Sequence, residues 1–141
     1  MIYLDGSSLT IYQVVEIARN KAEVGLSEEA KKNIQISRDI VEKNIEEKKV
    51  IYGLNTGFGK FVNVAISENE LDKLQLNLIL SDAVGVGDPF KQDVTRAIML
   101  LRVNALAKGF SGIRLSTVET MIAMLNKGVH PVIPEKGSVG S

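Results

Sequence analysis

The segment from residue 89 to residue 108 constrains the fold more than any other, because apolar side chains cover nearly every side of it. A helical period places Val94, Ile98 and Leu101 on one face. Further apolar side chains cover the other faces: Met99, Leu100, Val103 and Leu106. A helix of about 27 Å with apolar residues on all sides belongs inside a helical assembly rather than on its surface.

The bounds and the polar residues of this helix carry further predictions. Asp88 and Pro89 predict its start, because a proline at the first helical position lacks only an N–H that would have no partner there. Gly109 predicts its end. If the helix is buried, Arg96 and Arg102 need partners inside the protein, because a buried unpaired charge is costly.

Helical patterns also occupy most of the remaining chain. Four further helices are predicted: from Ser8 or Thr10 to Ala18, from Ser27 to about Lys48, from about residue 68 to Val84, and from Ser116 to Gly128. The first has an apolar face formed by Ile11, Val14, Val15 and Ala18. Residues 2–4 and 129–134 are predicted to be extended. The sequence therefore predicts a mainly α fold of about five helices with glycine-rich loops, in a single domain over residues 1–141.

Charge and composition exclude several classes of function. Seventeen basic residues balance seventeen acidic ones, so no field of one sign attracts nucleic acid or an anionic membrane. The chain has no cysteine and one histidine, which argues against a thiolate or histidine-rich metal centre. No signal peptide and no apolar run of about 20 residues is present, so a cytoplasmic location is expected.

Residues 52–59, Tyr-Gly-Leu-Asn-Thr-Gly-Phe-Gly, form a loop with three glycines in eight residues. Glycine permits positive φ and close approach of the main chain, so this density predicts that another group comes near the loop. Tyr52 is its candidate functional side chain. A tyrosine that only packs at the base of the loop is the alternative interpretation.

Five segments are similar, in the same order, to those of one enzyme family. They lie at residues 52–59, 78–81, 85–87, 106–114 and 135–140, and the last reads Glu-Lys-Gly-Ser-Val-Gly. In these motifs the chain resembles the histidine ammonia-lyase family, and the resemblance covers essentially all of it. The resemblance implies the N-terminal helical portion of the ammonia-lyase fold, which is like that of fumarase and aspartase, with the central helical bundle outside this chain.

The activity that the resemblance implies is elimination of ammonia from L-histidine, to give urocanate, or from a related imidazole or aromatic amino acid. The expected enzyme is a homotetramer and needs no external cofactor or metal. Its electrophile is a 4-methylidene-imidazol-5-one group that forms from a consecutive Ala-Ser-Gly. Ser141 occupies the first position of that triplet, and the other two residues lie outside the chain. The 141 residues alone are therefore expected to be inactive.

The resemblance also assigns roles to individual residues. Tyr52 is expected to be the catalytic acid–base group, and Asn55 and Gly59 of the same loop are expected to bind substrate. Such a base contributes about 10²–10⁴-fold, and a phenol with a reference pKa of about 10 needs surroundings that lower its pKa.

Asp82 bears on the choice of substrate. The resemblance implies a histidine at this position in histidine ammonia-lyases and in many of their tyrosine-acting relatives, and apolar residues in phenylalanine enzymes. An ionised carboxylate would accept a hydrogen bond from an imidazole N–H and disfavour a plain phenyl ring, which places histidine or a modified imidazole ahead of phenylalanine. The alternative is that Asp82 pairs with an arginine such as Arg96 or Arg102.

Other functions remain open at this stage. One is a tyrosine or phenylalanine lyase or an aminomutase. Another, from a different class, is a truncated and inactive helical protein that binds full-length subunits or other partners through its apolar fourth helix.

Overall fold

The computed structural model describes residues 1–47, 49, 51 and 68–137, and for residues 68–72 and 82 it describes the main chain alone. Within these ranges there are five helices and four short strands, in this order: β1 (Ile2–Leu4), α1 (Ile11–Ala18), β2 (Val24–Leu26), α2 (Glu28–Glu46), α3 (Glu68–Asp82), β3 (Gly85–Pro89), α4 (Gln92–Leu106), α5 (Leu115–Lys127) and β4 (Pro134–Gly137). The predicted mainly α class is confirmed.

The chain forms two compact units. The first consists of Met1–Glu42 and Pro89–Ile133, and the second of Lys43–Asp88 and Pro134–Ser141. The first unit therefore contains α1, α4, α5 and most of α2, and the second contains α3 with β4 and most of β3.

A two-stranded parallel sheet and the surrounding helices make the core of the first unit. β1 pairs with β2 in a register that places Ile2 opposite Val24 and Leu4 opposite Leu26, and α1 supplies the crossover that a parallel pair requires. The predicted extended segment at residues 2–4 is thus confirmed, whereas β2 is an addition. The largest apolar side chains of the core that are fully buried are Leu4, Ile17, Val24, Ile34, Leu100, Val103, Val118 and Leu125.

Asn126, near the end of α5, completes the hydrogen bonding of β2. Its Oδ1 accepts from the N–H of Val24 at 3.0 Å, and its Nδ2 donates to the carbonyl oxygen of Val24 at 2.8 Å. The side-chain amide thus replaces a neighbouring strand for this residue. Since main-chain polar groups removed from water need partners, this pair explains how so short a strand remains inside the fold.

Arg96 of α4 is only 2% exposed, and its guanidinium group lies at the ends of two other helices. Nε donates to the carbonyl oxygen of Ala18 at 3.0 Å, and one terminal nitrogen donates to that of Ile17 at 2.8 Å. The other terminal nitrogen donates to the carbonyl oxygen of Leu125 at 2.8 Å. These carbonyls belong to the last turns of α1 and α5, where main-chain acceptors lack helical partners and a positive charge is favourable.

The predicted burial of the fourth helix is confirmed for one side and wrong for the other. Leu100 and Val103 are fully buried, together with Thr95 and Arg96, whereas the face of Val94, Ile98 and Leu101 is exposed. Arg102 is exposed as well, so it needs no internal partner. The sequence pattern identified both apolar faces, and the face that points inward is the one that carries Arg96, whose partners lie at the ends of α1 and α5.

Two predicted helix starts are wrong. Residues 85–89 form β3 instead of a cap for α4, whose N-cap is Lys91 without a side-chain hydrogen bond. A proline disfavours helical geometry in the residue before it, and its missing N–H is tolerated in a strand, so Asp88-Pro89 suits β3. The N-cap of α5 is Arg114 rather than Ser116. Leu115 packs against the core, so the helix includes it and begins one residue before the predicted start at Ser116.

Three other helix ends agree with their predictions. Thr10 caps α1 through a reciprocal box with Gln13, and Ser27 accepts from the N–H of Ala30 at 3.1 Å at the start of α2. Gly128 ends α5 in a left-handed conformation with φ of 72°. The apolar face predicted for α1 is partly wrong, because Ile17 is buried with Ala18 while Ile11 is 86% exposed. Among the described residues, no helix is long and apolar enough to cross a membrane.

Candidate active site

The structure describes part of the predicted active site. Tyr52, Asn55, Gly59 and Ser141 lie outside the described residues, and so does the side chain of Asp82. Asp82 is the last residue of α3, and only its main chain is described. The described parts of the site are therefore the end of α3 and the strands β3 and β4, which flank the motifs.

The end of α3 is exposed, although it is rich in leucine and isoleucine. Ile79 is 66% exposed and Leu80 65%, while Leu78 is half-buried. The hydroxyl of Ser81 donates to the carbonyl oxygen of Leu78 at 2.9 Å, which satisfies one acceptor of the last turn. The Leu-Ile-Leu-Ser motif at 78–81 thus presents apolar side chains next to the position of Asp82.

β3 and β4 form a two-stranded sheet, and this sheet connects two motifs that lie far apart in the sequence. β3 begins three residues after Asp82, and β4 ends immediately before Ser138. The sheet therefore places the chain that follows α3 and the residue that precedes the Ser-Val-Gly-Ser segment on adjacent strands.

Two glycines allow these strands to approach closely. A Cβ atom at Gly137 would lie 2.5 Å from the carbonyl oxygen of Val84 and 3.4 Å from Cα of Gly85. A Cβ atom at Gly85 would lie 2.8 Å from Cγ of Pro134. Separations below 3.0 Å do not occur for real Cβ atoms, so neither position accepts a larger residue without movement of the strands.

The motif at 106–114 forms the connection between α4 and α5 and packs on α2. Gly109, with φ of 73°, lies where a Cβ atom would be 2.6 Å from the main chain of Asn33. The N–H of Gly112 donates to the hydroxyl of Ser37 at 2.7 Å, and a guanidinium nitrogen of Arg38 donates to the Gly112 carbonyl oxygen at 3.2 Å. In the described part of the chain these glycines serve the packing of the first unit.

The described residues contain no group of three or more acidic or histidine side chains that could hold a metal ion. His130, the single histidine of the sequence, is half-buried. Its Nδ1 lies 3.0 Å from the carbonyl oxygen of Gly128, so that nitrogen is the donor. This contact links the His130 ring to the main chain at the end of α5.

Comparison with known proteins identifies the family. Residues 9–141 match the family described as "Aromatic amino acid lyase", and the chain belongs to that family. The histidine ammonia-lyase of Alkaliphilus oremlandii is 56% identical over 140 residues, which are 99% of this chain and 28% of that protein. The recognition of the family from its motifs is thereby confirmed.

Two solved structures share the fold closely. The crystal structure of histidine ammonia-lyase from Trypanosoma cruzi has a TM-score of 0.90 and 41% identity, over 99% of this chain and 27% of that one. The structure of tyrosine aminomutase from Streptomyces globisporus has a TM-score of 0.90 and 38% identity, over 97% of this chain and 26% of that one. The chain therefore has a fold found in ammonia-lyases and aminomutases, and it spans about a quarter of the length of these proteins.

Gly85 and Gly137 were not among the predicted site residues. Both glycines lie in segments that carried the resemblance, so a signal was present in the sequence. Their contacts were not predictable, because each depends on an atom about 50 residues away along the chain.

Proposed function

We propose that this chain is the N-terminal helical domain of a histidine ammonia-lyase, and that the complete enzyme eliminates ammonia from L-histidine or a related imidazole amino acid. The observation that carries the proposal is the match of residues 9–141 to the aromatic amino acid lyase family. Identity to a relative named histidine ammonia-lyase over nearly the whole chain favours histidine over other substrates. We further propose a cytoplasmic homotetramer without an external cofactor or metal.

Tyr52 is the proposed acid–base residue of this reaction. Elimination requires removal of a weakly acidic proton from the β-carbon of the substrate, and a phenol can take that proton when its surroundings lower its pKa. Asn55 and Gly59, on the same glycine-rich loop, are the proposed contacts that place the substrate beside the phenol. Because glycine permits close approach of the main chain, the three glycines of this sequence segment are compatible with a substrate beside it.

The prosthetic group expected for this family is 4-methylidene-imidazol-5-one, and the structure offers one test of whether the chain suits it. The group supplies an electrophile that activates the amino group of the substrate for departure. Its formation requires main-chain atoms to approach one another without obstruction by a Cβ atom. The contact between Gly137 and Val84 provides such unobstructed main chain next to the segment that ends at Ser141, so the residues present fit the group. Ser141 is the proposed first residue of its precursor.

Asp82 is the proposed determinant of substrate choice. It follows the exposed Leu-Ile-Leu-Ser segment at the end of α3, and an ionised carboxylate there would accept a hydrogen bond from the imidazole N–H of histidine. The same carboxylate would remain unpaired beside the phenyl ring of phenylalanine, which is unfavourable in a site that excludes water.

One set of kinetic measurements on the complete enzyme tests these roles together. The kcat/KM for histidine, tyrosine and phenylalanine is measured for the unmodified enzyme and for Tyr52→Phe and Asp82→His. We expect histidine to be preferred, and we expect Tyr52→Phe to lower kcat by about 10²–10⁴-fold, since only the acid–base oxygen is removed. A kcat near that of the unmodified enzyme would reject Tyr52 as the base. An unchanged substrate preference in Asp82→His would reject the role of Asp82.

A second function has support from the exposed apolar face of α4. Val94, Ile98 and Leu101 are at least 40% exposed on a helix whose opposite side is buried. A 141-residue chain produced alone would be inactive and would associate with full-length subunits through this face. Ammonia release by the 141-residue chain itself would contradict the proposed inactivity.

A further inference from the structure

The close approach of β3 and β4 has a consequence for the formation of the electrophile. Gly137 is the last residue of β4, and the segment proposed to begin the electrophile follows it directly. Its contact partner, the carbonyl oxygen of Val84, lies two residues after Asp82. One main-chain contact thus joins the start of the electrophile segment to the proposed substrate-binding end of α3.

We propose that Gly137 and Gly85 are positioning residues for ring formation: by lacking Cβ atoms, they let β4 lie close enough to β3 to hold the electrophile segment in the geometry from which its ring closes. This inference rests on the proposed function, because it assumes that the complete protein forms the ring.

The size of the expected displacement follows from the contact distances. A methyl group at residue 137 would lie 2.5 Å from the carbonyl oxygen of Val84, whereas ordinary contact begins at 3.4 Å. The obstacle is a main-chain atom rather than the end of a flexible side chain, so β4 itself must move, by about 0.9 Å. A misplacement of about 1 Å can cost about 10²-fold in the rate of a reaction that depends on pre-aligned groups.

Ring closure is such a reaction. The main-chain nitrogen of the third residue of the triplet bonds to the carbonyl carbon of the first. The carbonyl oxygen leaves as water with the N–H hydrogens of the third and central residues, and a C=N double bond forms between that carbon and the nitrogen of the central residue. The hydroxyl of the central serine leaves with its Cα hydrogen as a second water, which produces the methylidene group. No oxidant or reductant takes part, so the alignment of the main chain is what the protein must supply.

The sheet also offers a way to restore the geometry after it has been disturbed. A methyl group at residue 85 would meet the ring of Pro134, with Cγ at 2.8 Å, Cβ at 3.1 Å and Cδ at 3.3 Å. Replacement of Pro134 by alanine removes Cγ and Cδ and leaves only the contact at 3.1 Å, which needs a shift of a few tenths of an ångström. Gly85→Ala should therefore impair ring formation, and the double variant Gly85→Ala/Pro134→Ala should recover most of it.

The experiment follows the mass of the complete protein by intact mass spectrometry at successive times after a pulse of synthesis. Ring formation makes the chain lighter by two water molecules, which is a readout independent of activity. We expect Gly137→Ala to slow this loss about 10²-fold. Gly85→Ala should slow it as well, and the added Pro134→Ala should restore it.

A matched control separates positioning from general destabilisation. Gly128 has a positive φ, of 72°, which strains any other residue at this position, but no atom lies within 4 Å of the place where its Cβ would be. Gly128→Ala should therefore lower the melting temperature and leave the rate of ring formation unchanged.

The outcomes distinguish this inference from the proposed function. If the unmodified complete protein never loses two waters, the proposed function is rejected. If the unmodified protein does lose two waters, two results would reject the positioning role. One is that the variants at residues 85 and 137 lose the waters as fast as the unmodified protein; the other is that Gly128→Ala loses them as slowly as those variants. Should Gly137→Ala fail to fold, the comparison of Gly85→Ala with Gly85→Ala/Pro134→Ala decides.

Discussion

Replacement of Arg96 by methionine tests the account of the core most directly. Methionine preserves most of the volume and the flexible apolar stem of arginine, but it cannot donate hydrogen bonds. The variant would leave the carbonyl oxygens of Ile17 and Ala18 at the end of α1, and that of Leu125 in α5, without their guanidinium donor. Leu125 would keep a second donor, the N–H of Gly128 at 3.2 Å.

The expected loss of stability can be estimated from these contacts. Each hydrogen bond from a charged donor is worth about 1.5–3 kcal/mol, and a buried acceptor left without a partner costs about 1–3 kcal/mol. Removal of the charge also removes the cost of its desolvation, which offsets part of the loss. We therefore expect Arg96→Met to lower the free energy of unfolding by about 3–5 kcal/mol. A domain has only about 5–15 kcal/mol in total, so the effect is large.

The assay is urea-induced unfolding of the 141-residue chain at 25 °C, followed by far-ultraviolet circular dichroism. Arg102→Met is the matched control, because Arg102 is exposed on the same helix and its loss should change the free energy by less than about 0.5 kcal/mol. Arg96→Lys should fall between them, since a single ammonium group keeps the charge but lacks the planar fork of donors. A loss below about 1 kcal/mol for Arg96→Met, with an unchanged slope against urea, would refute the reasoning.

Two further predictions concern other polar contacts of the first unit. Asn126→Ala removes both hydrogen bonds to Val24 and should lower the free energy of unfolding by about 1–3 kcal/mol in the same urea assay. The control is Lys127→Ala, at the exposed neighbouring position. An equal effect of the two variants would contradict the prediction. The N–H groups of Ser8 and Ser7 lower the pKa of Asp5 from 3.8 to about 2, so its stabilising effect is complete above about pH 4 and is lost as the pH falls towards about 2. The difference in melting temperature between the unmodified chain and Asp5→Asn should therefore shrink over this range, and a difference that stays constant would reject the assignment.

The parts of the fold that follow local rules were predictable from the sequence. Capping residues and glycines act within one helical turn, so Thr10, Ser27 and Gly128 marked helix ends that the structure contains. A helical period also places the buried residues of α5, Val118, Ile122 and Leu125, on one face.

The parts that depend on distant partners were not predictable. Asp88 and Pro89 satisfy the local rule for a helix start, but pairing of their segment with β4 makes it a strand. The partners of Arg96 are main-chain carbonyls 78, 79 and 29 residues away, and no side-chain pattern reveals a carbonyl acceptor. Arg96 lies on the inward face of α4, and both faces of this helix are apolar, so the sequence pattern alone did not show which side would be exposed.

For the candidate site, the sequence indicated the motifs but not the contact between them. The loop at 52–59 and the segment at 135–140 carried the resemblance, and the roles of Tyr52, Asn55, Gly59, Asp82 and Ser141 remain predictions. The contact between Gly137 and Val84 came from the structure, because a glycine in a motif has no visible partner in a sequence. In its proposed role this contact constrains the main chain and contributes no reacting side chain.

The packing of α4 and α5 also bears on how this contact forms. In an unfolded chain, bringing Gly137 to Val84 closes a loop of about 50 residues, and the entropic cost of closure grows with loop length. Once α4 and α5 have packed, the N–H of Phe90 donates to the carbonyl oxygen of Ile133 at 2.8 Å, which joins the chain just after β3 to the chain just before β4. The buried contacts of Arg96 and Asn126 hold the ends of α1, α5 and β2 in the packed arrangement of the first unit, so these side chains stabilise the unit that contains both Phe90 and Ile133.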